Sequence, residues 1–329
     1  MPASVSRSGR VLLCVALLAL VIAGAALAGN GGVAPPAPAS PNAGGIRDVY
    51  WLILGITGGI FLLVEVTLIL FVVRYRSRGR PRAVEGPQVR GHTNLELAWT
   101  AGPVVILAVI AGFVFYKISG INSAPVARGA PPKETIRIEG HQYYWEFTYP
   151  NGAISIDTLR LPVKRWVKLE ITSADVAHSW WIPQLAGKLD AIPGRTNTTS
   201  WKPGRLGTFR GQCAEFCGIQ HAAMLAYAQV LPQARYDAWV RHRRSSPQEL
   251  GRESFTGVCA KCHGLAGQGD IGPPIAQSPL LGDREALTTL LREGLGKMPA
   301  VGADWSRAQL DATIRYLQKR FKAGGPGGG

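Results

Sequence analysis

The sequence predicts a multidomain membrane protein in three parts: a two-helix transmembrane hairpin, an all-β domain outside the membrane and a small all-α domain after it. Three observations carry this. Two apolar runs long enough to cross a bilayer lie within residues 47–120. Residues 121–232 change to short β-branched and aromatic runs separated by turn residues, and from residue 248 the apolar period becomes helical. With 329 residues and 47% hydrophobic content, the chain has room for both membrane spans and water-facing cores.

Residues 1–28 read as a secretory signal peptide. Arg7 and Arg10 precede an apolar stretch over 11–27, and an A-x-A cleavage site stands at 26–28. Residues 29–46 are rich in Gly, Pro, Ala and Asn without an apolar period, so they are expected to be a flexible linker. The hairpin follows at 47–120. Its apolar runs, 49–73 and 97–116, suffice to cross a hydrocarbon core of roughly 30 Å at about 1.5 Å per helical residue. Tyr50, Trp51 and Tyr75 are expected at the membrane interfaces, and Pro103 falls early in the second helix, where a kink is tolerable.

Between the spans lie Arg74, Arg76, Arg78, Arg80, Arg82 and Arg90 against Glu85 alone. That bias makes the loop cytoplasmic and puts everything after the second span outside, in the periplasm of a bacterial cell membrane. It also explains much of the net charge of +15, which on a chain without such spans would suggest nucleic acid as a partner. No nucleic-acid role is expected.

In residues 121–232 the strand-like runs are 134–139, 143–149, 163–171, 196–201 and 226–231, with turns at Pro150-Asn151-Gly152 and Pro203-Gly204. This is the pattern of a β-sandwich or barrel of about a hundred residues. Residues 233–247 are a basic, partly helical linker. Amphipathic runs at 249–258, 284–293 and 309–322 make residues 248–322 an α-helical domain, and the glycine tail 323–329 is expected to be disordered.

Of the five cysteines, Cys14 lies inside the signal, whereas Cys213 with Cys217 and Cys259 with Cys262 form two close pairs, each near a histidine. Such pairs suggest metals or cofactors more than a disulfide framework. The first pair belongs to Cys213-Ala-Glu-Phe-Cys217-Gly-Ile-Gln-His221-Ala-Ala-Met224, which gathers two thiolates, an imidazole and a thioether. Soft sulfur with imidazole is a copper set, since zinc seldom recruits Met. A second imidazole is available from His178, at the end of a strand-like run, and two bridging thiolates would let two coppers share one electron.

The motif C-x-E-x-C-G-x-x-H-x-x-M, preceded by D-V-x-H-S-W and by D-A-I-P-G-R at 190–195, resembles the Cu-A domain of subunit II of the haem–copper cytochrome c oxidases. The resemblance runs from about residue 50 to residue 231. It implies a cupredoxin-like β-barrel in which His178, Cys213, Cys217, His221 and Met224 ligate a dinuclear copper centre. It further implies that Glu215 gives its backbone carbonyl to copper and its carboxylate to a Mg²⁺ shared with subunit I. In one respect the chain departs from the family: G-x-Q-W-x-W, whose first Trp receives electrons from a docked soluble cytochrome, is here Gly140-His-Gln-Tyr143-Tyr-Trp145.

The second pair is Cys259-Ala-Lys-Cys262-His263, the C-x-x-C-H pattern of covalent haem c attachment, with two thioethers and an adjacent axial imidazole. Met298 is expected to supply a thioether as the second axial ligand: of three methionines, Met1 initiates the chain and Met224 is assigned to copper. Gly272-Pro273-Pro274 can place a carbonyl against the His263 ring. The span resembles a small class I cytochrome c.

Two acids remain. Glu65 lies inside the first span and is assigned no role. Glu96, in T-x-L-E-x-x-W-T, matches the family motif whose Glu stands at the mouth of a proton pathway of subunit I, although a Glu there also suits a helix start. The expected function is that of subunit II of a proton-pumping cytochrome c oxidase, an oxidoreductase and translocase complex whose oxygen chemistry lies in subunit I. Electrons would pass from haem c through Cu-A. Expected partners are subunits I and III and a cytochrome c or other external donor at the haem domain. The alternatives are a membrane-anchored haem and copper carrier, or the electron-input component of a nitric-oxide-type reductase, against which the Glu96 motif argues.

Overall fold

The structure is a computed structural model that describes residues 34–75, 88, 90–122, 134–276 and 278–321. The signal peptide with Cys14, the loop arginines 76, 78, 80 and 82, and the tail 323–329 lie outside the described residues. The described residues form two compact units, one within residues 34–37 and 44–121, the other of residues 38–43 and those described from 122 onward.

In the first unit, α1 (Pro41–Tyr75) and α2 (Thr93–Asn122) are both apolar enough to cross a membrane, and their Leu, Val and Phe side chains are exposed along most of their length. Such a surface is stable only in lipid or against partner helices. The sequence places the start of α2 by its caps. Nδ1 of His92 accepts from the backbone N–H of Leu95, and Glu96 reaches back to accept from the N–H of His92 at 3.2 Å.

The second unit opens with a β-sandwich of two five-stranded sheets. One has the order β3-β2-β1-β5-β8, from β1 (Thr135–His141), β2 (Tyr144–Thr148), β3 (Ile154–Ile156), β5 (Val167–Ser173) and β8 (Asn197–Trp201). The other has the order β4-β10-β9-β6-β7, from β4 (Thr158–Pro162), β6 (His178–Trp181), β7 (Leu189–Ala191), β9 (Gly207–Cys213) and β10 (Leu225–Leu231). β1 with β5 and β10 with β4 are parallel, and the remaining pairs are antiparallel. Trp145, Trp180, Trp201 and Phe147 fill the space between the sheets with edge-to-face and stacked contacts. Part of the expected linker also packs here: Ala39 exchanges backbone bonds with Gln184 and Gly204, and Asn42 donates to the carbonyl of Ser200.

Residues 233–247, expected to be a basic and partly helical linker, are helical over most of their length and pack on the sandwich. They form α3 (Gln233–Ser245), whose Tyr236, Trp239 and Val240 pack on the sandwich core, with the Arg160 guanidinium 4.3 Å from the Trp239 ring centre. Arg243, almost fully buried, donates to the carbonyl of Ile154 and to Glu253. One of the basic residues of this segment is thus spent on internal ion pairs.

The helical region continues through α4 (Pro247–Ser254), a π-turn (Phe255–Cys259) and α5 (Ala260–His263), then α6 (Arg284–Glu293) and α7 (Arg307–Phe321). Asp283 caps α6 by accepting from the N–H groups of Glu285 and Ala286. Its core is not closed on itself. Val258, Leu287, Leu291, Trp305, Leu310 and Ile314 bury against Tyr144 and Ile156 of the sandwich, and Trp305 Nε1 donates to the Tyr144 hydroxyl at 2.9 Å.

Candidate metal and haem sites

β6 and β9 are hydrogen-bonded neighbours, and Trp180 pairs with Cys213. That register brings His178, at the start of β6, beside Cys213, at the end of β9. The loop from Cys213 to Met224 then turns back, with a 3₁₀ turn at His221–Ala223, into β10. The Sγ atoms of Cys213 and Cys217 are 3.9 Å apart, far beyond a disulfide bond. His178 Nδ1 lies 3.8 Å from Cys213 Sγ, while His221 Nδ1 and Met224 Sδ lie 3.5 and 3.8 Å from Cys217 Sγ. The carbonyl oxygen of Glu215 is 3.2 Å from Cys213 Sγ. All six residues assigned from the sequence therefore gather in one place. His178, Cys213, Cys217 and Met224 are buried, and the Glu215 side chain is exposed.

Sequence reading left Asp175 without a role, although it stands in D-V-x-H. Its carboxylate is 2.8 Å from His178 Nε2, which turns Nδ1 toward the sulfurs. Burial works against the Asp175 charge, but bonds from His178 and from the N–H groups of Gln142 and Val176 hold its carboxyl below the usual range. At the thiols, burial raises Cys213 but bonds from His178 and the backbone outweigh it and bring it down to about 7, whereas burial and the neighbouring Cys213 push Cys217 up to about 12. A metal bound here would require both thiols to give up their protons.

In the helical region, Cys259 and Cys262 are one turn apart, Cys259 buried and Cys262 partly exposed. His263 Nδ1 lies 2.6 Å from the carbonyl oxygen of Pro273, which leaves Nε2 as the free ligand atom. Gly272 makes this approach possible, since a Cβ there would stand 2.7 Å from the imidazole. Met298 closes a tight turn with Leu295 and packs against the cluster that holds Val258 and Trp305. Leu265, Ile271 and Leu295, neighbours in sequence of His263, Gly272 and Met298, expose apolar side chains that an apolar macrocycle would cover. The donor set and this surface fit a haem.

Fold and sites together define a membrane-anchored cupredoxin-like protein with a helical redox domain appended. Comparison with known proteins gives the particular family. The transmembrane domain of cytochrome c oxidase subunit II matches residues 29–116, its periplasmic domain matches 153–230, and the cytochrome c oxidase, cbb3-type, subunit III family matches 247–317. Cytochrome c oxidase subunit 2 of Alkalihalophilus pseudofirmus is 31% identical over 85% of this chain and 89% of its own length. That of Thermostichus vulcanus is 30% identical over 64% of this chain and 78% of its own. The periplasmic domain of oxidase subunit II from Bradyrhizobium japonicum aligns at 30% identity over 35% of this chain and 96% of that domain, with a TM-score of 0.34. The chain belongs to the cytochrome c oxidase subunit II family and carries a C-terminal cytochrome c domain. Membership implies a Cu-A copper centre in the sandwich and a haem in the helical domain.

Proposed function

We propose that this chain receives electrons at its helical domain and delivers them through the sandwich to the oxygen-reducing site of subunit I in a proton-pumping oxidase of a bacterial cell membrane. When bound, the copper pair and a haem c held by Cys259, Cys262, His263 and Met298 supply one-electron redox chemistry. The residues hold, orient and shield these groups. His178, Cys213, Cys217, His221 and Met224, with the Glu215 carbonyl, form the copper site; Asp175 fixes the His178 tautomer and Pro273 that of His263. The Glu215 carboxylate, exposed beside the copper loop, is the Mg²⁺ ligand toward subunit I, and subunit III and an outer cytochrome complete the partners. The observation that carries this reading is the convergence of six copper-type ligand residues on one place, four of them buried. Metal and haem analysis of the purified complex tests it: about two coppers and one covalent haem on this chain are expected. A mixed-valence copper signal in electron paramagnetic resonance should disappear in Cys217→Ser, which lacks a bridging thiolate, and persist in Met224→Leu. Its survival in Cys217→Ser would overturn the assignment.

Glu96 is proposed as the proton donor to subunit I, supported by its motif and by its exposure at the start of α2. Glu96→Gln should slow reduction of the oxygen site and leave electron arrival at Cu-A unchanged; equal slowing of both steps would contradict the role.

A further inference from the structure

Lys261 stands between the two cysteines of C-x-x-C-H, yet its ammonium serves the other domain. Its side chain is 16% exposed, and Nζ donates at 2.7 Å to the backbone carbonyl of Tyr143 and at 2.7 Å to Asp157 Oδ2. Asp157 Oδ1 in turn accepts from the backbone N–H of Trp145 at 2.9 Å. The segment that Lys261 grips, Gln142–Tyr143, is the one that braces the copper loop. Gln142 Nε2 donates to the carbonyl of Cys217, and its backbone N–H donates to Asp175, each at 2.6 Å. Asp175 holds His178. The Tyr143 ring lies over Gly218, where a Cβ would come within 2.6 Å of the phenol oxygen, so only glycine lets the two surfaces close at this positive φ.

An unbroken run of hydrogen bonds and backbone thus leads from the residue between the haem cysteines to two copper-site residues, Cys217 in the loop after β9 and His178 on β6. We propose that Lys261 is a positioning residue: it fixes the haem-binding turn on the Gln142–Tyr143 backbone and so sets the separation and orientation of the two redox groups. The inference rests on the copper and haem reading above. Other contacts dock the domains independently of it. Arg243 with Glu253, Gln309 with Glu146, Trp305 with Tyr144 and the apolar cluster remain when Lys261 is replaced. Its loss should therefore loosen the haem turn locally and leave the domains together. A buried cation shared between a carboxylate and a carbonyl is costly to place unless its geometry is fixed, which suits a positioning role.

The experiment uses the purified complex with Lys261→Met, which keeps length and removes the charge, and Lys261→Arg, which keeps the donors. Flash-induced electron equilibration between haem and Cu-A is read together with amide hydrogen exchange over residues 141–146, haem and copper content, and both midpoint potentials. Lys261→Met should slow equilibration about tenfold, as loss of an outer-shell partner does at metal sites, and raise exchange over 141–146. Content and potentials should be unchanged, and Lys261→Arg should recover most of the rate. Unchanged equilibration and exchange in Lys261→Met would overturn the proposal, as would loss of copper or haem from that variant, which would mark Lys261 as a folding residue. Should Lys261→Met not assemble, Lys261→Gln carries the same comparison. A wild-type complex lacking haem or copper would fault the underlying reading instead.

Discussion

His178 and His263 illustrate how one residue type is put to use by its second nitrogen. His178 faces Asp175 and His263 faces the Pro273 carbonyl, so in each the ring atom left free is the one that faces a ligand site. Met298 has no such partner and is held by its turn and by packing. As the proposed axial ligand its thioether would be the weaker of the two, and Met298→Ala should open one coordination position on a bound haem. Carbon monoxide difference spectra of the reduced protein should then show binding that the wild type lacks. An unchanged spectrum would place the sixth ligand elsewhere. The site residues were legible in the sequence because soft ligands at fixed spacing are rare. Their supporters were not: Asp175, Gln142, Asp157 and Lys261 are ordinary polar residues until the fold brings together positions as distant as 143 and 261.

At the level of elements, β2 is the hinge of the design. One of its faces fills the sandwich with Trp145 and Phe147, while Tyr144 and Glu146 meet α7 and the loop before it. Glu146 accepts from Gln309 Nε2 at 3.1 Å, and burial, its largest influence, raises its carboxyl above the usual 4.5. The folded state therefore holds this proton more tightly than the unfolded chain. The stability it contributes is present at low pH and is lost as pH rises from 4.5 through the raised folded value. Gln309 Oε1 is buried without a partner, and an amide at position 146 could donate to it. Glu146→Gln should stabilise the protein by about 1 kcal/mol near pH 7 and by much less near pH 4. Thermal unfolding at the two pH values checks this, and an equal gain at both would contradict it. Among the strands, β1, β2, β8 and β10 stand close to where alternation places them. β9 escapes notice because Gly211 takes an inward position, breaking the apolar period, and the expected strand at 163–171 is interrupted by a turn with Lys164 at positive φ.

At the scale of the whole molecule, composition foresaw a tether and the structure has a dock. The sandwich and helical domain share an apolar core, and Lys261 covers the carbonyl of Tyr143, the residue that replaces the family's electron-accepting Trp. Charge favours the same route. Residues 121–232 hold twelve Lys and Arg against eight Asp and Glu, and residues 248–322 hold ten against eight, so the net charge of each disfavours steering of a basic cytochrome. On the proposed function, electrons reach Cu-A by way of the docked helical domain. Stopped-flow mixing of the oxidised complex with a reduced basic cytochrome c tests it most directly, because haem c and Cu-A absorb at different wavelengths. The covalent haem is expected to be reduced first, with Cu-A following, at a rate that does not fall as salt is raised. Reduction of Cu-A ahead of the haem, with a rate falling steeply with salt, would contradict it.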